Sequence, residues 1–409
     1  MNIHPRAAFA SKNYRRFFCS RVLGITAHGM LSVTLGQYIY ERTHDPLILG
    51  YIGLCFFLPR VLLVLLAGHV ADRFSRRLIG VLCASVRTLM VLGILLWVAS
   101  GVHPVWQLYG LLVVIGSAWA FDGPAHMALM PQLVPLEHFA NAVTWNSQAV
   151  QIAYVVGPMC AGIGYAWGGA PAMLVAILGM QILATCGFLS LRVVPVVAVA
   201  QAVSWRSVLA GLRHVRTERI IFAVMSLDLF AVLFGGAVAL MPMYANDILM
   251  VGPRGLGWLR AAPAVGAIAV AWGMVHRPHF TRPGFAMLWA VLAFAAATIG
   301  FGLSRNIFLS LALLMILGAS DMIGMIVRGV IVQTLTPDHM RGRVSAVNLI
   351  FIGASNELGE FESGVTARWW GVVPATVIGG LCTMAVVALW AWRFPQLRTY
   401  RARRSPQTS

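Results

Sequence analysis

The feature that most limits what this chain can fold into is a succession of long apolar runs joined by connections too short to hold a soluble domain. Of its 409 residues 59% are hydrophobic and only 11% are charged, where a soluble domain carries about 25% charged residues. A hydrocarbon core about 30 Å thick is crossed by roughly 20 apolar residues in a helix, and only a helix or a closed barrel satisfies its own backbone in lipid. The runs 17–40, 47–71, 78–100, 104–126, 141–166, 170–191, 219–244, 255–276, 284–303, 306–330, 344–367 and 370–393 predict twelve transmembrane helices. The expected fold is an all-α membrane protein. The first run is too long for the apolar core of a signal peptide and lacks a small-residue cleavage pattern, so it reads as the first span.

The formal net charge is +17. Nearly all of it is arginine in short loops, Lys12 being the one lysine, so the charge marks topology, and a nucleic-acid partner is not expected. Counted from a cytoplasmic N-terminus, one side receives Arg15, Arg16, Arg73, Arg76, Arg77, Arg192, Arg213, Arg216, Arg341, Arg343 and many more. The other receives only Arg42, Arg254, Arg305 and Arg368. The positive-inside rule then places both termini in the cytoplasm. Cys19, Cys55, Cys83, Cys160, Cys186 and Cys382 all fall in apolar runs without a CxxC pair, which points to packing and away from zinc or a disulfide framework.

The longest polar connection, 192–218, splits the chain into halves of six spans: 1–191 and 219–393, with a basic tail at 394–409. Its pattern around Trp205-Arg206 and Gly211-Leu212-Arg213 suggests an amphipathic helix on the inner membrane surface. The halves are related. Gln132, Glu137-His138 and Val143 match Gln333, Asp338-His339 and Val344 at one offset, and Pro59 and Arg73 match Pro263 and Arg277 at another. At the second offset Asp72 falls opposite His276, so the repeat has decayed there.

Gly68-His-Val-Ala-Asp72-Arg73-Phe-Ser-Arg76-Arg77 lies in the turn between the second and third runs. Twelve spans, two related halves and this motif resemble the major facilitator superfamily, whose cytoplasmic motif A it matches; Ser75 stands where the family often has glycine. The resemblance implies two pseudo-symmetric six-helix bundles and a gate in which Gly68, Asp72, Arg73, Arg76 and Arg77 favour the outward-open state. A carboxylate beside arginines and the start of the eleventh span suits such a latch. A finer resemblance is to the enterobactin-exporter-like branch, on Ser20-Arg21, Thr43-His44, Asp122, Leu209-Ala210-Gly211 and Gln333-Thr334-x-Thr336-Pro337. It implies export of a drug-like or siderophore-like molecule.

Ionisable residues inside spans are expensive and mark functional candidates. Arg21 and Asp122 share a similar depth and are an expected pair. Asp228, Asp321, Glu357 and Glu360 sit in the second half, where a carboxyl group can take up and release protons, with Arg260 and Arg328 as their neutralising or substrate-binding partners. These acids, with Asp122, are the proton-coupling candidates, and Arg21, Arg260 and Arg328 the cavity candidates. Gly157-Pro158 with Gly162 resembles the antiporter motif of the superfamily, in which small residues permit close helix contact and proline bends the helix. His276-x-x-His279 lacks a third ligand, so no metal and no cofactor is expected. The expected activity is proton-coupled export of a small organic molecule by a monomer of the bacterial inner membrane, with the lipid bilayer, the cargo and protons as its partners. Uptake or lipid flipping on the same fold is the alternative; a sensor or a membrane-embedded enzyme has less support, since no loop offers a nucleophile with a base.

Overall fold

A computed structural model describes residues 7–101, 104–192, 205–276, 281–337 and 340–400. Arg277, His279, Asp338, His339, linker residues 193–204 and tail residues 401–409 lie outside them. The helices are α1 (Lys12–Thr43), α2 (Pro46–Arg73), α3 (Arg76–Ala99), α4 (Val105–Leu129), α5 (Phe139–Leu189), α6 (Trp205–Thr217), α7 (Arg219–Phe234) and the short α8 (Met241–Met243). They continue as α9 (Gly252–His276), α10 (Pro283–Leu303), α11 (Ile307–Leu335), α12 (Arg341–Trp370), α13 (Val372–Arg393) and α14 (Pro395–Thr399). Contacts divide the chain into two units: Met1–Thr43 with Tyr51–Ser204, and His44–Gly50 with Trp205–Ser409.

Among the described residues, nine helices are long and apolar enough by themselves to cross a membrane. The other predicted spans are the first leg of α5, the 16-residue α7, and α12, whose polarity comes from Glu357, Glu360 and Glu362. Spans 141–166 and 170–191 are joined in α5 by a bend at Gly169, with φ 65 and ψ −169. That conformation suits a residue without Cβ, and Pro171, having no N–H to leave unpaired, starts the second leg. The predicted span 219–244 is interrupted after Phe234. At Gly236 an added Cβ would come within 2.7 Å of the Gly359 carbonyl oxygen, so the chain breaks where α12 presses closest. A π-helical turn, Tyr244–Ile248, follows α8.

In the first unit α1 packs along α5, and α3 along α4 and α5. The crossing of α1 and α5 is built on glycine: a Cβ on Gly157 would lie 2.7 Å from the Thr26 carbonyl oxygen, and one on Gly29 would lie 2.9 Å from the Pro158 ring. In the second unit α11 packs on α9 and α10, α10 on α13, and α7 on α12. There Gly359 takes the same role, its Cβ position lying 2.9 Å from the Val232 carbonyl oxygen. Trp106, Trp167, Trp272 and Trp392 point outward, as side chains do at a lipid boundary.

The linker helix α6 is docked on protein. It packs on α7 and α12, buries Val215, and sets Gly211 where a Cβ would stand 2.7 Å from the Arg343 carbonyl oxygen. The start of α12 is thereby braced by the linker.

Candidate functional site

In the first unit the ionisable groups of the interior gather on α1, α2, α3 and α4. Asp122 is the centre. Arg87 Nη1 lies 3.3 Å from its Oδ1, and His126 Nδ1, one turn along α4, lies 3.2 Å from its Oδ2; all three side chains are only 2% exposed. His126 stacks on Phe188 at 4.8 Å and meets Phe17 edge-on, which seals this side of the pair. The Arg87 guanidinium also lies over the Trp119 ring, 4.6 Å from its centroid. Trp119 in turn meets His28 with ring centroids 5.0 Å apart, and His28 meets Phe56.

Arg87 and His126 are thus partners of Asp122 that the expected pairing with Arg21 did not include. Arg21 lies in electrostatic range of His126 and Tyr14. Arg60 and Arg87 both act on His28, so the cluster is continuous from α4 through α3 and α1 to α2. Arg60, Arg87, His28 and His126 are functional candidates that reasoning from Arg21 and Asp122 misses. The rule that a charge in mid-span is expensive applies to Arg60 and Arg87 just as it does to Arg21.

Toward the other end of α1, Glu41 accepts hydrogen bonds from Gln37 Nε2 at 2.7 Å and from the Tyr165 hydroxyl at 2.6 Å. Gln37 and Tyr165 are themselves buried, which fixes this carboxylate between α1 and α5.

In the second unit Arg328 on α11 is ion-paired with Asp228 on α7, and both are nearly buried. Asp228 also lines a narrow cleft with Phe294, Ser320, Asp321 and Gly324 among apolar neighbours. Asp321 makes no ion pair among the described residues. Arg260 and Glu360 interact electrostatically with each other, Glu362 stands beside Ser363, and Glu357 is half-buried. This interior can hold a proton on one carboxyl group while neighbouring charges stay paired.

Around motif A, Gly68 is buried and Arg73 is exposed. Arg77 Nη2 donates to the Leu189 carbonyl at 2.7 Å and Arg76 Nη1 to the Ala128 carbonyl at 3.4 Å. Arg16 Nη1 donates to the Ser190 carbonyl at 2.7 Å beside Arg77. These arginines therefore cap the C-terminal ends of α4 and α5, where open carbonyls favour a cation. Ser75 is the N-cap of α3, its side chain accepting from the Leu78 amide, which is the physical use of serine at this position. The Asp72 side chain is outside the described ones. Gly157, Pro158 and Gly162 lie on the α5 leg that crosses α1, and Gly157 and Gly162 are buried.

Among the described residues no group of three histidine, cysteine or acidic side chains is arranged to hold a metal ion.

Residues 3–407 match the family MFS_3, described as Transmembrane secretion effector. Curated relatives include the enterobactin exporter EntS of Shigella boydii serotype 4 (strain Sb227), 23% identical over 395 residues covering 93% of each chain. The enterobactin exporter EntS of Escherichia coli O1:K1 / APEC is 23% identical over 394 residues, again covering 93% of each. Among solved structures, a bacterial homologue of the human lysosomal transporter Spinster, inward-facing and occupied, superposes with a TM-score of 0.75 at 14% identity, over 99% of this chain and 100% of that one. The nucleoside transporter NupG superposes with a TM-score of 0.69 at 14% identity, over 94% of this chain and 99% of that one.

Proposed function

The chain belongs to the transmembrane secretion effector family of the major facilitator superfamily, and from that premise we propose that it exports a small organic molecule by proton antiport. It is a multi-pass membrane transporter and not an enzyme. In this reading it works as a monomer in the bacterial inner membrane, with both termini in the cytoplasm, by alternating access. Its relatives named as enterobactin exporters support an outward direction and a siderophore-like cargo. The glycine-built crossing of α1 and α5 at Gly157 and Pro158 supports the antiporter motif as a structural device.

One observation carries the coupling: Asp321 shares a cleft with Asp228, while Arg328 is committed to Asp228. A salt-bridged carboxylate keeps its charge, because protonation would strand the guanidinium. Asp321 has no such partner and is the group that takes the proton. Protonated from outside and deprotonated inside, it links cargo exit to proton entry, each charge carrying about 2.3 kcal/mol per 100 mV of membrane potential. Glu360, offset by Arg260, and Glu357 extend the acidic interior.

The test is proton flux in proteoliposomes with an internal pH dye. Cargo-dependent acidification is expected in the wild type and absent in Asp321→Asn, while cargo exchange at equal pH persists in that variant. Acidification that survives Asp321→Asn would remove this residue from the coupling step.

A further inference from the structure

The two units carry opposite interior charge. Acids in the interior of the second unit are Asp228, Asp321, Glu357, Glu360 and Glu362, set against Arg260 and Arg328. The first unit has Arg21, Arg60 and Arg87 inside its spans, with His28 and His126, and Asp122 as its mid-span carboxylate. Its other acids, Glu41, Asp72 and Glu137, stand at the ends of spans or beyond them. Asp122 is committed to Arg87 and His126.

Beside that pair lie three buried polar atoms with no hydrogen-bond partner among the described residues: Arg87 Nε, Trp119 Nε1 and His28 Nδ1. They belong to one contact chain, since Arg87 lies over the Trp119 ring and that ring meets His28. Arg87 and Trp119 present N–H donors, and an indole N–H can only donate. A buried donor without an acceptor costs about 1–3 kcal/mol, and in a membrane interior bulk water is not there to relieve it. Trp119 and His28 are half-buried, whereas Arg87 and Asp122 are sealed, so the cluster reaches its accessible side through the rings of Trp119 and His28. Arg60 adds its field at His28. The missing chemistry is an acceptor of negative charge beside an aromatic surface.

We propose that His28, Arg60, Arg87 and Trp119 form a recognition site for an acidic group, a carboxylate or its equivalent, on the transported molecule. The proposal rests on the transport reading and narrows its cargo to organic anions. The anionic group accepts from Trp119 Nε1 and is held by the arginine field, and the cargo's own ring or chain lies against Trp119. The division of charge separates two roles, the basic unit reading the cargo and the acidic unit handling protons.

The test uses the full-length purified protein and matched probes: benzoate, phthalate and phenylphosphate, with benzamide and phthalamide as neutral counterparts. Thermal shift and calorimetric titration are expected to detect at least one acid and neither amide. Trp119→Phe, which keeps the ring and removes the donor, and Arg60→Gln should weaken that acid about tenfold or more, while Arg60→Lys restores part of it and Ile163→Leu, on an exposed helix face, leaves it unchanged. Amides that bind as well as acids, a panel with no acid response, or binding unaffected in both Trp119→Phe and Arg60→Gln would each overturn the proposal, the last outcome leaving a buried water as the occupant. Proton flux with the same probes separates the two readings. An acid that binds without moving protons keeps the site and removes the antiport; an amide that moves protons when no acid binds does the reverse.

Discussion

Substituting Asp122→Asn tests the ion pair at the heart of the first unit. Both Asp122 and Arg87 are 2% exposed at 3.3 Å separation, so solvent screens the pair little. Removing one charge of such a pair leaves the other buried and uncompensated, which costs about 3–5 kcal/mol. The asparagine keeps the shape and one hydrogen bond toward His126, which puts the expected loss at the lower end of that range. For a unit of roughly 200 residues each kcal/mol moves the midpoint by about 2–4 °C, so the fall is about 6–12 °C at 3 kcal/mol. Retention of a monodisperse peak on size exclusion after heating reads it directly. The companion is Asp122→Leu with Arg87→Met, which removes both charges and refills the volume; replacing a buried pair by apolar groups is often neutral or stabilising. It should recover most of the lost stability. A midpoint unchanged in Asp122→Asn, or a double variant no better than the single, refutes the assignment of Asp122 to a structural pair and returns it to the proton-coupling candidates.

Two further outcomes are expected. Gly157→Leu drives a side chain into the Thr26 carbonyl, which is backbone and cannot step aside, so the crossing of α1 and α5 is lost at a cost of at least about 1–3 kcal/mol; transport should fall with it, while Ile163→Leu on the exposed face of the same helix leaves both unchanged. Asp72→Asn should abolish transport with normal membrane abundance, checked by proteoliposome flux and immunoblot together, because an orientation signal does not need an acid at that turn; unchanged flux removes the latch.

The number of spans was legible because the bilayer sets it: apolar length is a one-dimensional quantity, and α1, α3, α10 and α13 could be read from it directly. The departures arise where helix geometry depends on a neighbour. The bend at Gly169 falls in the gap between the runs 141–166 and 170–191, which leaves it looking like a loop, whereas the break at Gly235-Gly236 lies inside the run 219–244, where hydropathy is blind to it. Arg87 as a partner of Asp122 was hidden for a related reason. Depth along the helix points from Asp122 to Arg21, but which face of α4 it occupies and which helix lies there also bring Arg87 of α3 to it. The one readable clue was Arg87 itself, a charge in mid-span that no loop accounts for. Motif A shows the reverse case. Arg76 and Arg77 read in the sequence as orientation signals and members of the gate motif, and the structure also uses them as caps on α4 and α5.

The same contrast explains how two related halves came to differ. Close helix crossings recur in both units, at Gly157 against α1 and at Gly359 against α7, because a Cβ at either place would strike backbone atoms that no rotamer change can move. Charges are under no such geometric constraint. An arginine or an acid in mid-span needs only a local partner, and Arg87 finds Asp122 from α4 just as Arg328 finds Asp228 from α7. Packing positions therefore hold the repeat together while ionisable positions drift, and the drift has a direction: cations outnumber acids in one interior and acids outnumber cations in the other. A neutral cargo would give selection no reason to keep buried donors such as Trp119 Nε1 without a partner, whereas an anionic cargo would satisfy them on each cycle.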